Sequence, residues 1–99
     1  MLARNYRFGR REVDMVVRKG RVVAFIEVKT RAGTGFGAPQ EAITGLKRRE
    51  VEAVAAHFLA RHGLEDVEVR FDAVGIVFDR DRGVLRIEHI ADAWRPGWP

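Results

Sequence analysis

Ninety-nine residues, 46% of them apolar, are enough for one domain with a modest core. There is no cysteine, which excludes disulfides, thiolate metal sites and cysteine nucleophiles; the charged start is unlike a signal peptide, and no apolar run approaches membrane-spanning length. The net charge of +4 is unevenly spread, with twelve Lys/Arg against four Asp/Glu in residues 1–49 and six against ten in residues 50–99, so one half is suited to a polyanion and a membrane partner is not expected.

In chain order, residues 2–8 alternate loosely and read as an edge strand, with Gly9, Arg10 and Arg11 as a turn. Residues 12–18 alternate strictly, Lys19-Gly20 reads as a two-residue hairpin turn, and residues 21–30 form the returning arm, rich in Val, Ile and Phe. Residues 31–38 hold Gly33, Gly35 and Gly37 without periodicity and are expected to be a mobile loop; residues 39–43 are a short approach segment. Thr44 is suited to cap a helix on which Leu46, Val51, Val54, Ala55, Phe58 and Leu59 recur at helical spacing, and Gly63 is suited to end it. Residues 68–78 read as a long strand, 79–83 as a polar turn, 84–90 as a returning strand and 91–94 as one helical turn. The expected fold is α/β, with the chain order βββ-α-ββ: a mixed sheet of about five strands covered by one long helix.

With Lys19-Gly20 as the turn, paired residue numbers sum to 39, which sets Glu12 opposite Glu27 and Asp14 opposite Phe25. The pleat then gathers Glu12, Asp14, Val23, Phe25, Glu27 and Lys29 on one face, and Val13, Met15, Val17, Val22, Ala24, Ile26 and Val28 on an uncharged other face. Asp14 and Glu27 become diagonal neighbours, about 7–8 Å apart at the backbone, close enough for two carboxylates to meet at one ion. Magnesium suits such oxygen ligands. Lys29, two residues past Glu27, could orient a water or oppose charge growing on a phosphate. The alternative is a set of solvated cross-strand ion pairs, worth roughly 0–1 kcal/mol. Position favours the site, because Glu27 and Lys29 close an apolar strand beside a glycine-rich loop.

These residues resemble a known family. Asp14, a hairpin and then Glu27-Val28-Lys29 look like the PD-(D/E)xK nuclease superfamily. The ordered blocks ARNYRF, EVDMV, FIEVKTR, FGAPQEAI with Lys47, and RFDAVGI resemble the YraN-like family of uncharacterised bacterial proteins over residues 2–94. The resemblance implies a restriction-endonuclease-like fold, similar to Holliday-junction resolvases. It implies that Asp14, Glu27 and the Val28 carbonyl bind Mg2+ or Mn2+, weakly or only with substrate, and that Lys29 is the catalytic lysine. The activity implied is an endonuclease acting on DNA rather than RNA, with branched DNA among its expected substrates. Family members carry an N-terminal helix with an acidic residue ahead of the ARNYRF strand, so residues 1–99 are expected to form a single nuclease-like domain lacking that helix. A non-catalytic nucleic-acid-binding module, or a dimerising subunit that keeps the fold, is therefore the alternative.

Arg7, Arg10, Arg11, Arg31, Lys47 and Arg48 are candidate phosphate contacts, and Glu12, Gln40 and Asp72 are candidate auxiliary residues, Asp72 being better explained by a pair with an arginine such as Arg70 or by capping a strand end. His57, His62 and His89 read as structural, and Trp94 and Trp98 as packing or interface residues, a homodimer being one way to bury them. The expected location is the cytoplasm.

Overall fold

A computed structural model of the chain describes residues 1–32 and 39–96, with the side chains of Pro39, Gln40 and Leu85 outside that description. The expected glycine-rich loop, the Gln40 side chain and Trp98 therefore lie outside the described residues. Five strands form one sheet in the order β1-β2-β3-β4-β5: β1 (Ala3–Phe8), β2 (Arg11–Lys19), β3 (Val22–Ala32), β4 (Glu68–Asp79) and β5 (Gly83–Trp94). Among the described residues only β3 and β4 run parallel, and α1 (Gly45–Arg61) lies in the crossover between them, preceded by a 3-10 turn at Pro39–Ala42. The mixed sheet with one helix follows the expected chain order.

Both ends of α1 are written locally. The Thr44 hydroxyl accepts the Lys47 N–H at 3.1 Å. At the other end Gly63 takes φ +63°, its N–H donates to the Ala60 carbonyl, and the Leu64 N–H donates to the Leu59 carbonyl, the paired bonds of a Schellman cap. Val51, Val54, Ala55 and Phe58 form the buried stripe, spaced at i, i+3, i+4 and i+7. Leu46 was expected on that stripe but is exposed, because it sits five residues before Val51, well round the helix from it. The stripe packs on Val13, Val16, Val23, Phe25, Phe71 and Ala73 of the sheet. Trp94 closes this core, stacked on Phe71 and donating from Nε1 to Glu52 at 3.1 Å. Residues 91–94 are therefore strand and not a helical turn: β5 follows β4 past a register shift, with Asp92 at φ +54°, to bring Trp94 opposite Phe71.

The β2–β3 hairpin turns on Gly20-Arg21, not Lys19-Gly20. Gly20, at φ +60°, fills the first central position, where a type II′ turn calls for glycine. Partners therefore sum to 41, as in Met15↔Ile26 and Val16↔Phe25, and not to 39. Moving a two-residue turn by one position slides the register by two residues, so near the turn every side chain keeps its face. Farther along, the alternation slips. The β1–β2 ladder passes from Arg4↔Met15 to Tyr6↔Val13, omitting Asn5 and Asp14, and Asn5 is at φ +51°. As a result Val13 and Val16, three residues apart, both enter the core under α1. Val13 was expected on the opposite face, and a left-handed residue in the neighbouring strand overrides the period of two.

Candidate metal centre

At the slip, β2 and β3 stop pairing through their backbones and pair through two acidic side chains. The Met15↔Ile26 register, carried one residue on, sets Asp14 opposite Glu27 and not diagonal to it. There the Val28 N–H donates to Asp14 Oδ2 at 2.8 Å, and the Asp14 N–H donates to Glu27 Oε1 at 3.3 Å. Each carboxylate is thus held by the backbone of the strand facing it.

Glu27 is the unusual member. It follows Val23–Ile26 into the interior, and its side chain is only 3% exposed. Among the described residues, Oε2 accepts no hydrogen bond; the Lys47 ammonium is nearest, at 4.0 Å. Burial, and then the neighbouring Asp14 charge, push its carboxyl up to about 7 from 4.5, against the smaller pull of Lys47. A buried carboxylate oxygen without a donor among the described residues, beside a second carboxylate, suits a hard divalent cation. The residues present therefore fit Mg2+ or Mn2+ held by Asp14 and Glu27. Among the described residues no group of three or more His, Asp or Glu side chains gathers around one point.

Helix α1 brings two more groups, and one was missed in the sequence. Lys47 donates to the Glu12 carbonyl at 3.0 Å and to the Glu50 carboxylate. Burial works against its charge, but Glu50, Glu27 and Asp14 outweigh that and hold it above the ordinary lysine range. The hydrogen bond from Lys47 holds Glu50 below the ordinary range for a glutamate. Glu50 could have been found from spacing: it lies four residues before buried Val54, as Lys47 lies four before Val51, so both extend the core stripe toward the sheet.

The other expected residues fall as follows. Lys29 lies two residues beyond Glu27 on β3 and is half-buried. Glu12 does not oppose Glu27; its carboxylate pairs with Arg7, its β1 partner, at 2.8 Å, and only its carbonyl meets Lys47. Asp72 is paired in register with Ile26 and so projects from the face away from Glu27 and α1. Its oxygens are taken by Arg70 at 2.9 Å twice, by His89 at 2.8 Å and by the Asp92 N–H at 3.0 Å, so it cannot serve as a third ligand. Despite its burial, these partners hold its carboxyl below the usual range. Arg10 and Arg11 are exposed near the β1–β2 turn, whereas Arg48 donates to the Ile43 carbonyl and lies over the Trp94 ring. Trp94 is buried in the core and unavailable as an interface residue. His57 accepts or donates at Tyr6 Oη and stacks on Phe8, a packing role. No helix among the described residues is long and apolar enough to cross a membrane.

Comparison with known proteins gives one consistent family. The sequence profile of "Uncharacterised protein family UPF0102" matches residues 1–76. A UPF0102 protein of Geotalea daltonii is 43% identical over 94 residues, covering 95% of this chain and 73% of that protein. Relatives of the same description in Geobacter sulfurreducens and Moorella thermoacetica are 42% and 40% identical, each over 95% of this chain and over 73% and 78% of their own lengths.

Proposed function

The chain belongs to the uncharacterised UPF0102 family, and from the site its fold builds we propose that it is a divalent-metal-dependent endonuclease acting on DNA, branched DNA in particular. The observation that carries this reading is Glu27: a buried carboxylate whose Oε2 lacks a donor among the described residues, laced to Asp14 at the point where β2 and β3 part. Asp14 and Glu27 would hold Mg2+ or Mn2+, joined by the Val28 carbonyl. The bound ion would polarise a phosphodiester and lower the cost of ionising its water. The chain's own residues do the rest. The Val28 and Asp14 N–H groups fix the two carboxylates so that neither reorganises during reaction. Lys29, on the same strand, orients the attacking water and opposes the negative charge that grows on the phosphate. The exposed Arg7, Arg10 and Arg11 follow the nucleic-acid backbone without reading bases, and Arg31 extends the basic rim along β3.

One observation favours a second reading. Only two carboxylates gather among the described residues, so a module that binds metal and DNA without cutting is the runner-up.

The test is cleavage of junction, flap, single-stranded and duplex DNA, with and without Mg2+ or Mn2+. Cutting that needs the metal and falls to background in Asp14→Asn, Glu27→Gln and Lys29→Met is expected. Metal-independent cutting, or cutting that survives these changes, overturns the reading. Salt-sensitive binding with no cutting selects the runner-up.

A further inference from the structure

Lys47 is held more firmly than a surface lysine. It stands on the core-facing stripe of α1, one turn before Val51, so its side chain runs toward the sheet. The Glu12 carbonyl and the Glu50 carboxylate accept two of its three N–H donors, from β2 and from its own helix. Among the described residues the third has no acceptor within hydrogen-bond distance, and beyond Glu50 the next carboxylate oxygen is Glu27 Oε2 at 4.0 Å. That separation is too long for a direct bond, so the third N–H is left for an acceptor supplied from outside the described residues. Lys29, by contrast, forms no ion pair with any described residue.

We infer that the Lys47 ammonium is the cation that meets a non-bridging oxygen of the phosphodiester beside Glu27, and that Glu50 and the Glu12 carbonyl are its positioning groups. The inference rests on the metal-site reading above and adds to it. It makes the helix, and not only the Glu27-Val28-Lys29 strand, a contributor to substrate binding, and it gives Glu50 a role. A phosphate oxygen satisfies the third donor of Lys47 without disturbing the other two, so the lysine needs no rearrangement on binding.

The chain has three lysines, Lys19, Lys29 and Lys47, so 13C labelling at lysine Cε gives three assignable signals. On titrating the full chain with Mn2+, the Lys47 signal is expected to broaden first, Lys19 to stay sharp, and the effect to vanish in Glu27→Gln. In Glu50→Gln, Lys47 should broaden less while the Asp14 and Val28 amides respond as before, a pattern that loss of structure would not give. With Ca2+ bound, dimethyl phosphate should shift Lys47 more than Lys29. Lys47→Met should weaken binding of junction DNA in Ca2+ roughly tenfold, with Lys47→Arg recovering part of it. Broadening of the amides and Lys29 with a sharp Lys47 signal, or a dimethyl phosphate shift confined to Lys29, overturns this inference and leaves the metal site standing. No broadening anywhere overturns both.

Discussion

Asp14 and Glu27 hold each other through the backbone: Asp14 Oδ2 accepts from the residue after Glu27, and Glu27 Oε1 accepts from the Asp14 N–H. Two side-chain bonds stand where a ladder of backbone bonds would continue. The consequence is that two carboxylates are kept side by side although they repel, one of them in the core.

That arrangement makes stability depend on pH in an identifiable direction. Glu27 ionises near 4.5 when unfolded and near 7 when folded, so the folded chain binds its proton more tightly. Its contribution is therefore full below about 4.5 and is lost as pH rises to about 7. Glu27→Gln should remove this slope and raise stability at pH 8 by about 2–3 kcal/mol relative to the native chain, with little change at pH 4. Urea unfolding of both proteins at the two pH values measures it; equal slopes would show that Glu27 is not buried beside Asp14 as described.

Metal affinity should carry the opposite slope. A divalent ion binds the ionised carboxylate, so it must displace the Glu27 proton below about 7. Mn2+ affinity is expected to rise about tenfold per pH unit up to about 7 and to level off above it, with about one proton released at pH 6. Calorimetry in two buffers of different ionisation heat counts that proton. Asp14→Asn should lower the midpoint, because the neighbouring charge is gone.

Asp72 should matter for stability and not for metal. It is fully buried and joins β4 to β5 through Arg70, His89 and the Asp92 N–H, on the sheet face away from Glu27. Asp72→Ala strips those partners at once and is expected to cost roughly 3 kcal/mol, lowering Tm on the order of 10–20 °C. Mn2+ affinity measured below the lowered Tm should be unchanged. A change in affinity would mean that the two faces are coupled.

Thr44 ties helix stability to the site. Thr44→Ala removes the acceptor for the Lys47 N–H and should cost about 1 kcal/mol in thermal or urea unfolding. Thr44→Asn should restore most of it. Because Lys47 sits in the turn that this cap orders, hydrogen exchange at residues 45–48 should speed up in the alanine variant.

Much of this was legible before any coordinates. Strict alternation on either side of Gly20 yields a hairpin, and Thr44 and Gly63 bracket the helix with side-chain and left-handed caps that act over a few residues. The pairing of Asp72 with Arg70, two residues apart on one strand face, was readable for the same reason. Where an expectation failed, a small conformational choice stood behind it. Lys19-Gly20 and Gly20-Arg21 are both two-residue turns with a glycine, and the choice between them slides one strand by two residues. It moves Asp14 from diagonal to opposite Glu27 without changing its face.

The sequence by itself determined the order of strands and helix, and that Asp14 and Glu27 share one face of a hairpin, because those outcomes rest on periodicity and local capping. Only the tertiary structure decided that the pairing at Asp14 passes through side chains, that Val13 turns into the core beside a left-handed Asn5, and that Asp72 lies on the far face. It alone carried Lys47 from α1 to within 4.0 Å of Glu27, with Glu50 bonded to it. Those contacts depend on how one helix lies across two strands, which is set by the packing of Val51, Val54 and Phe58 against the sheet and not by any spacing along the chain.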